Sequence, residues 1–275
     1  MRIAFTIGFI FLGVLATRAQ YSEIGFHGGA TYYIGDINPY THFLHYPKAG
    51  GGAYLRANLT DRHAFKFNFL YTSVEAYDNE SSNEWQRNRN LNFRSEIIEI
   101  SAVLEINFFS YEVGDPSRPF SPYVFGGLAY FRMNPEAQFN DQWVELHPLG
   151  TEGQLTSSSE NQYGRGQIAI PFGIGFKLNV TGRVSLALEY GIRKLFTDYL
   201  DDVSTVYADP EELVASGGPA SAELADRSLE PMGINGTNTG MTRGNPDTND
   251  WYAYSNLSIS IRLGPTGIKC PGPYR

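Results

Sequence analysis

Apolar and polar residues alternate one by one along eight stretches of this chain. The clearest stretch covers residues 98–108, where Ile98 and Ile100 take one set of positions while Glu99 and Ser101 take the other. A period of two indicates a β-strand whose two faces meet different surroundings. The eight predicted strands are residues 23–35, 53–59, 65–72, 98–108, 123–131, 167–178, 183–193 and 251–263. No stretch shows a sustained helical period, so the pattern predicts an all-β protein.

The connections between the predicted strands are alternately long and short. The long connections are residues 37–49, 78–93, 134–162 and 200–250, and the shorter ones are 60–62, 109–119 and 179–182. An even number of strands with long loops on one side and short turns on the other is typical of an outer-membrane β-barrel. We therefore expect an eight-stranded antiparallel transmembrane barrel with long extracellular loops, closed by its first and last strands. A hairpin inside residues 200–250 would raise the number to ten.

The second face of each strand decides between a membrane barrel and a soluble one. A soluble eight-stranded barrel alternates in the same way but buries its apolar face around a ligand. In this chain the second face combines Gly, Ser and Asn with charges of both signs. The charged residues are Glu23, Arg56, Lys66, Glu99, Glu105, Lys177, Glu189, Arg193 and Arg262. We expect these acids and bases to pair inside the lumen, as buried charge requires, while the apolar face meets outer-membrane lipid.

Two further features of the strands bear on function. Aromatic residues near the predicted strand ends fit the girdles found at membrane surfaces; they are Tyr32, Tyr71, Phe108, Tyr123, Phe131, Tyr190 and Trp251. Eight strands enclose a space that side chains alone can fill, whereas aqueous channels need larger barrels. The sequence therefore argues against a porin.

The first 19 residues have the build of a secretory signal peptide. Arg2 provides a positive start, residues 3–15 are apolar, and Thr17 and Ala19 form a small-x-small cleavage site. The apolar run is too short to span a bilayer as a helix. We expect a signal peptide at residues 1–19, a barrel at 20–263 and a periplasmic tail at 264–275.

Composition and charge exclude several classes of function. The net charge of −8 argues against nucleic acid, which needs a basic surface. One cysteine, Cys270, excludes a disulfide scaffold and a CxxC metal cluster. Cys270 lies in the predicted tail, in an oxidising compartment. It is either an incidental thiol or a contact to a partner's cysteine.

No catalytic or cofactor motif stands out. The chain has no GxSxG, HExxH, Walker or GxGxxG sequence, and the spacing of His42 and His45 is explained by a polar loop. Residues 198–250 hold eleven acids and two bases, which suits a solvated loop, a docking surface or a cation site, although no EF-hand spacing is present. We expect no enzyme activity, no cofactor, no metal and no small-molecule substrate.

Three stretches carry a resemblance to a known family. They are the run Gly28–Asn38 (GGATYYIGDIN), the run Phe196–Ser204 (FTDYLDDVS) and a Cys-Pro near the C-terminus. Together with the signal peptide they resemble the PorG family, small outer-membrane barrels of the type IX secretion system. The more specific motif comprises Thr197, Asp198, Tyr199, Leu200, Asp201, Asp202, Val203 and Ser204. Read from the residues alone, it is an exit turn, a partner contact or a cap over the barrel mouth.

The resemblance implies a location and a partner. It implies a barrel in the outer membrane of a Gram-negative bacterium that associates with the periplasmic ring proteins of the secretion system, a machine linked to gliding motility in some members. It implies no catalytic residues. The alternative is a surface barrel whose acidic loops bind a ligand or stabilise the outer membrane without a secretion role, because a shared fold does not by itself give a shared function.

Overall fold

A computed structural model describes residues 19–39, 46–156, 162–233 and 236–264. Of the predicted signal peptide, only Ala19 lies inside these ranges. The same holds for His42, His45 and all of the predicted tail after Gly264, including Cys270.

Eight long strands form a closed antiparallel barrel, which confirms the predicted fold. The strands of the chain are β1 (Tyr21–Ile34), β2 (Lys48–Asn58), β3 (His63–Tyr77), β4 (Asn92–Asn107), β5 (Phe120–Phe139), β6 (Gln142–Glu145), β7 (Gly166–Asn179), β8 (Val184–Leu195) and β9 (Trp251–Leu263). Neighbours along the chain pair around the barrel, and β9 returns to pair with β1. The short strand β6 lies outside the barrel, as a hairpin on the end of β5.

The strands are staggered around the barrel. Following the paired residues once around the barrel, from Ser22 through each neighbouring strand, leads back to β1 at Tyr32, 10 residues further along the strand. Such a stagger tilts the strands against the barrel axis and sets the narrow interior of an eight-stranded barrel.

The outward face of the barrel is apolar and exposed all the way round. Phe26, Ile100, Leu128, Ile174 and Leu188 are each about 60 % exposed, and similar residues lie on the other strands. Soluble monomers rarely expose a contiguous apolar patch larger than a few hundred Å². A closed barrel with an apolar belt outside and charges inside spans an outer membrane. Within the described residues, no helix is long and apolar enough to cross a membrane.

The connections differ from the prediction in their content. The β3–β4 loop contains a 3₁₀ turn (Asp78–Glu80) and the helix α1 (Glu84–Arg89), and the β8–β9 connection contains α2 (Pro210–Gly217) and α3 (Pro219–Ala225). The described part of that last connection forms one bridge, Val206 to Thr242, and no hairpin strand. The barrel therefore has eight strands.

The interior has two different halves. Its periplasmic half is ionic, as expected. Its extracellular half is an apolar core in which inward-facing side chains meet the loops; its members include Val74, Phe93, Ile97, Phe131, Met133, Leu200 and Val203.

The prediction was wrong for two of the girdle residues. Tyr123 and Phe131 are buried in the lumen, because β5 is apolar on both faces and the sequence pattern does not reveal which face points inward. The outward positions of this strand are instead occupied by residues such as Leu128 and Tyr130.

Candidate functional site: the charged lumen and the extracellular cap

Glu105 is the centre of the lumen charge network. Its carboxylate lies 2.9 Å from Arg56 Nε, 3.2 Å from Lys66 Nζ and 2.5 Å from Lys177 Nζ. Arg56 also reaches Glu23 at 3.0 Å. These five side chains are buried and come from five different strands, so their contacts connect most of the barrel circumference.

Two more pairs lie nearer the extracellular side. Lys66 joins Glu189 at 2.5 Å, and Tyr123 donates a hydrogen bond to the same carboxylate. Arg193 Nε donates to Glu99 at 3.0 Å, and the Tyr252 hydroxyl donates to Glu99 at 2.7 Å.

The structure therefore brings eight of the nine predicted lumen residues into ion pairs with one another. The ninth, Arg262, lies at the periplasmic mouth and pairs with Glu112 of the β4–β5 loop at 3.1 Å.

The described lumen is electrically balanced and nearly full. Four acids (Glu23, Glu99, Glu105 and Glu189) face four bases (Arg56, Lys66, Lys177 and Arg193). A cavity beside the Lys66–Glu189 pair measures about 20 Å³ and is also lined by residues such as His27 and Asn256. That is room for roughly one water molecule, so the lumen offers no aqueous path.

The periplasmic mouth is closed by the β4–β5 loop. Tyr111 and Val113 of this loop are buried and pack against Tyr21. The Tyr21 hydroxyl accepts a hydrogen bond from the Val113 amide at 3.2 Å, and Arg262 donates to the Val113 carbonyl at 2.6 Å. The loop therefore folds into the barrel end rather than hanging free.

The extracellular mouth is closed by the Thr197–Ser204 segment, which we call the cap. Leu200 and Val203 are buried in the apolar core of the extracellular half. The Leu200 amide donates to Asp250 Oδ2 at 2.9 Å, and the Asp250 amide donates to the Thr197 carbonyl at 3.1 Å. The cap is thus tied to the start of β9.

Asp201 links the two sequence motifs that carry the family resemblance. The Tyr33 hydroxyl, from the Gly28–Asn38 run, lies 2.5 Å from Asp201 Oδ2 and 3.0 Å from Asp250 Oδ1. A phenol has one proton to donate, so both contacts are hydrogen bonds only when one carboxyl group is itself protonated. Burial and the neighbouring acids raise the pKa of Asp201 and of Asp250 well above the usual value, which agrees with a shared proton.

Gly35, in the first motif, is required by this contact. A Cβ atom at this position would lie 1.9 Å from Asp250 Oδ1 and 2.1 Å from the Tyr33 hydroxyl. Any larger residue would therefore displace the carboxylate that binds the cap.

Asp202 fixes the other side of the cap. It has a left-handed backbone with φ of 63°, a conformation that Asp tolerates better than most residues. Its carboxylate accepts hydrogen bonds from Thr151 and from the Tyr163 hydroxyl, the latter at 2.6 Å. The Tyr163 ring stacks on Tyr199 with centroids 4.6 Å apart.

Arg243 and Glu152 hold the end of the cap. Arg243 donates to Glu152 at 2.8 Å and to the Asp202 carbonyl at 2.6 Å. Glu152 in turn accepts from the Ser204 and Thr205 amides at 2.9 and 3.0 Å. This ion pair is fully buried, so removal of either side chain would leave the charge of the other buried without a partner.

The acidic segment is less solvated than the sequence suggests. Asp198, Asp201, Asp202 and Asp250 are all buried. Burial, reinforced by Asp201, raises the pKa of Asp198 to about 9. Burial also raises the pKa of Asp202 to about 6, although Arg243 opposes the rise.

Sequence reasoning did not connect the cap with its partners Tyr33, Glu152 and Arg243, which are far from it along the chain. Two of them had a signal: Tyr33 lies in the Gly28–Asn38 run, and Arg243 is one of two bases in a strongly acidic segment. Within the described ranges, no three His, Cys, Asp or Glu side chains are grouped so that they could hold a metal ion.

Comparisons with known proteins give one family and several similar folds. No curated protein matches the chain. Similar solved structures include Ail, the attachment invasion locus protein of Yersinia pestis, in complex with the heparin analogue sucrose octasulfate (9 % identity, TM-score 0.42, 88 % of this chain and 98 % of that chain). Others are Neisserial surface protein A (9 %, 0.41, 87 % and 96 %) and the outer membrane protein OprG from Pseudomonas aeruginosa (8 %, 0.38, 89 % and 97 %).

The model of one protein family matches residues 2–213, more than three quarters of the chain. The match includes β1 to β8 and the whole cap. The chain belongs to the family described as a domain of unknown function, DUF6089.

Proposed function

We propose that this chain is a non-enzymatic outer-membrane component of a type IX protein secretion system that contacts the periplasmic ring. The observation that carries the proposal is the contact between Tyr33 and Asp201. It joins the two motifs that resemble the PorG family, so the resemblance concerns one structural unit rather than two unrelated runs of sequence.

The filled barrel supports a role in assembly rather than in transport through its lumen. Ion pairs fill the periplasmic half, the cap fills the extracellular mouth, and the β4–β5 loop fills the other end. Other molecules therefore contact the outer surface of the barrel and its loops rather than the lumen. A barrel of this kind acts as an anchor in the membrane.

The periplasmic face has one preferred place for the ring contact. The β4–β5 loop is the longest periplasmic connection in the described residues, and its shape is fixed by charges. Arg118 lies 3.3 to 3.8 Å from Asp61, Glu112 and Asp115 and remains partly exposed. We assign the ring contact to this loop.

Affinity purification from detergent-solubilised native membranes tests the proposal. The wild-type chain should recover periplasmic ring proteins, and deletion of its gene should abolish export of secreted cargo. Arg118→Glu should lose the ring proteins, whereas Arg183→Glu, in the neighbouring β7–β8 turn, should retain them. The heat-dependent gel shift of folded barrels checks that both variants fold.

Recovery of the wild-type chain as a free monomer, together with normal secretion in the deletion strain, would refute the secretion role. That result would favour the alternative of a surface barrel that stabilises the outer membrane.

A further inference from the structure

A cavity of about 490 Å³ lies on the extracellular side, between the loops and the upper rim of the barrel. Its walls come from the end of β1, the start of β9, the α1 helix and the segment before β9. Its size falls in the range of small-ligand sites. Its lining includes none of the charged residues of the lumen.

Two indole rings and uncharged polar groups dominate the cavity wall. Trp85 and Trp251 both line it, together with Asn83 and Asn249. Among the described residues, no hydrogen-bond partner exists for the indole N–H of Trp85, for that of Trp251 or for the side-chain amide of Asn249. These groups are available to a ligand.

The two charged residues of the wall are already engaged. Arg89 binds Asp78 at 2.7 Å and donates to the Arg243 and Asp36 carbonyls. Asp36 accepts a hydrogen bond from the Asn245 amide at 2.8 Å. The site therefore suits an uncharged ring with many hydroxyl groups, because apolar ring faces stack on indoles while the hydroxyls meet amide and indole N–H groups.

The cavity lies where the apolar belt ends. Trp251 and Ile34 are the last residue pair between β1 and β9. The rings of Trp251 and Phe172, a residue of the apolar belt, are arranged edge to face with their centroids 6.4 Å apart. The Lys194 ammonium lies 5.7 Å from the Trp251 ring. Lys194 faces outward and has no carboxylate within 4 Å among the described residues. A free cation beside the cavity, at the membrane surface, suits a lipid phosphate.

We propose that this cavity binds the uncharged core sugars of a phosphorylated glycolipid of the outer leaflet, which extend beyond its phosphorylated, acylated anchor sugars. A core sugar stacks on Trp251 and on the face of Trp85 opposite the Arg89 guanidinium, which lies 4.7 Å from the Trp85 ring centroid. Asn249 bonds the sugar hydroxyls, and Lys194 pairs with the phosphate. The acyl chains lie along the apolar belt below. This binding does not depend on the secretion role.

Binding can be measured with the full-length mature chain in phosphatidylethanolamine nanodiscs. The probes are purified bacterial lipopolysaccharide, its delipidated core oligosaccharide, and lipid A without core sugars. We expect lipopolysaccharide to bind most tightly and to quench tryptophan fluorescence. The free oligosaccharide should bind about tenfold more weakly, a difference of ~1.4 kcal/mol, and lipid A should compete poorly.

The variants separate this site from general lipid contact. Trp85→Ala and Asn249→Ala should each weaken lipopolysaccharide binding about tenfold, whereas Trp143→Ala, on β6 outside the cavity, should not change it. Lys194→Gln should weaken binding of lipopolysaccharide but not of the free oligosaccharide. Trp85→Phe keeps a ring, so it should weaken binding less than Trp85→Ala. Unchanged binding by Asn249→Ala and Trp85→Ala, with the heat-dependent gel shift showing that both fold, or equal affinity for lipid A and lipopolysaccharide, would overturn the proposal.

Discussion

Glu105 makes more ionic contacts than any other carboxylate among the described residues, since Arg56, Lys66 and Lys177 all bind it. Glu105→Gln would leave three buried cations with too little opposing charge. Breaking a buried ion pair costs about 3–5 kcal/mol, and we expect a loss of that size in the free energy of unfolding, measured by urea titration in lipid vesicles. The exposed Glu96→Gln should change it by less than about 0.5 kcal/mol. Equal effects of the two variants would contradict the assigned lumen.

The buried carboxyl of Asp198 makes the cap sensitive to pH. Its pKa is about 9 in the folded cap and about 3.9 in an unfolded chain, so the folded state holds the proton more tightly. The stabilisation is complete below about pH 4 and is lost as pH rises towards 9. Amide hydrogen exchange of residues 197–204, corrected for intrinsic rates, should report easier opening across this range.

The control for this pH effect uses two variants. Asp198→Asn should reduce the dependence, leaving the part due to Asp201, Asp202 and Asp250, whose pKa values are also raised. Glu211→Gln, exposed on α2, should leave it unchanged. A cap whose exchange protection increases from pH 5 to pH 9 would show that Asp198 is ionised when folded.

For single residues, the sequence predicted which face of a strand each one occupies but not which residue it contacts. Period-two alternation was enough to place Glu99, Glu105 and Arg193 inside. The contact of Tyr33 with Asp201 spans 168 positions, and no local pattern encodes it. Tyr123 and Phe131 were misplaced because an aromatic ring suits a lumen and a girdle equally well.

Substitutions at outward positions test whether the strands of the barrel lie in the hydrocarbon region of the membrane. Ile100 on β4 is 59 % exposed and belongs to the apolar belt. Ile100→Arg would place a charge in lipid and should cost roughly 2–4 kcal/mol if it lies near the midplane, measured as the free energy of folding into vesicles. Ile100→Leu should be nearly neutral. A tolerated arginine would mean that this face does not meet the hydrocarbon.

The cap is an element with its own stability. Leu200 is fully buried in the extracellular core, and truncation of a buried leucine costs about 2–5 kcal/mol. Leu200→Ala should expose residues 197–204 to proteolysis while the barrel keeps its heat-dependent gel shift. Leu229→Ala, at a position 68 % exposed, should have no effect. If Leu200→Ala resisted proteolysis at residues 197–204 as well as the wild type does, burial of Leu200 would not hold the cap in place.

The strands were predictable as elements, but their ends were not. β2 begins at Lys48, five residues before the predicted stretch, because Gly50, Gly51 and Gly52 have no side chains to alternate. Gly52 is needed there, since a Cβ atom would lie 1.8 Å from the Phe69 carbonyl oxygen. The helices α2 and α3 were missed because they are eight and seven residues long, too short for a clear period.

For the whole molecule, the fold followed from the sequence more readily than the cap did. Strand number, closure and the inside-out distribution of charge depend on patterns that repeat eight times. The cap depends on single contacts between distant loops, such as Arg243 with Glu152. Its presence explains why four of the eleven acids of residues 198–250, Asp198, Asp201, Asp202 and Asp250, are buried. Asp201, Asp202 and Asp250 bond the loop to itself and to β1 rather than to water.

The apolar face of the barrel meets lipid, while its ionic face fills the lumen. Phospholipids that carry a photoactivatable diazirine in an acyl chain report this arrangement directly, because Ile100 points outward and Val103 inward. In vesicles made with these lipids, mass spectrometry should find strong labelling of Ile100 and none of Val103. Equal labelling of both residues, or stronger labelling of Val103, would contradict this arrangement.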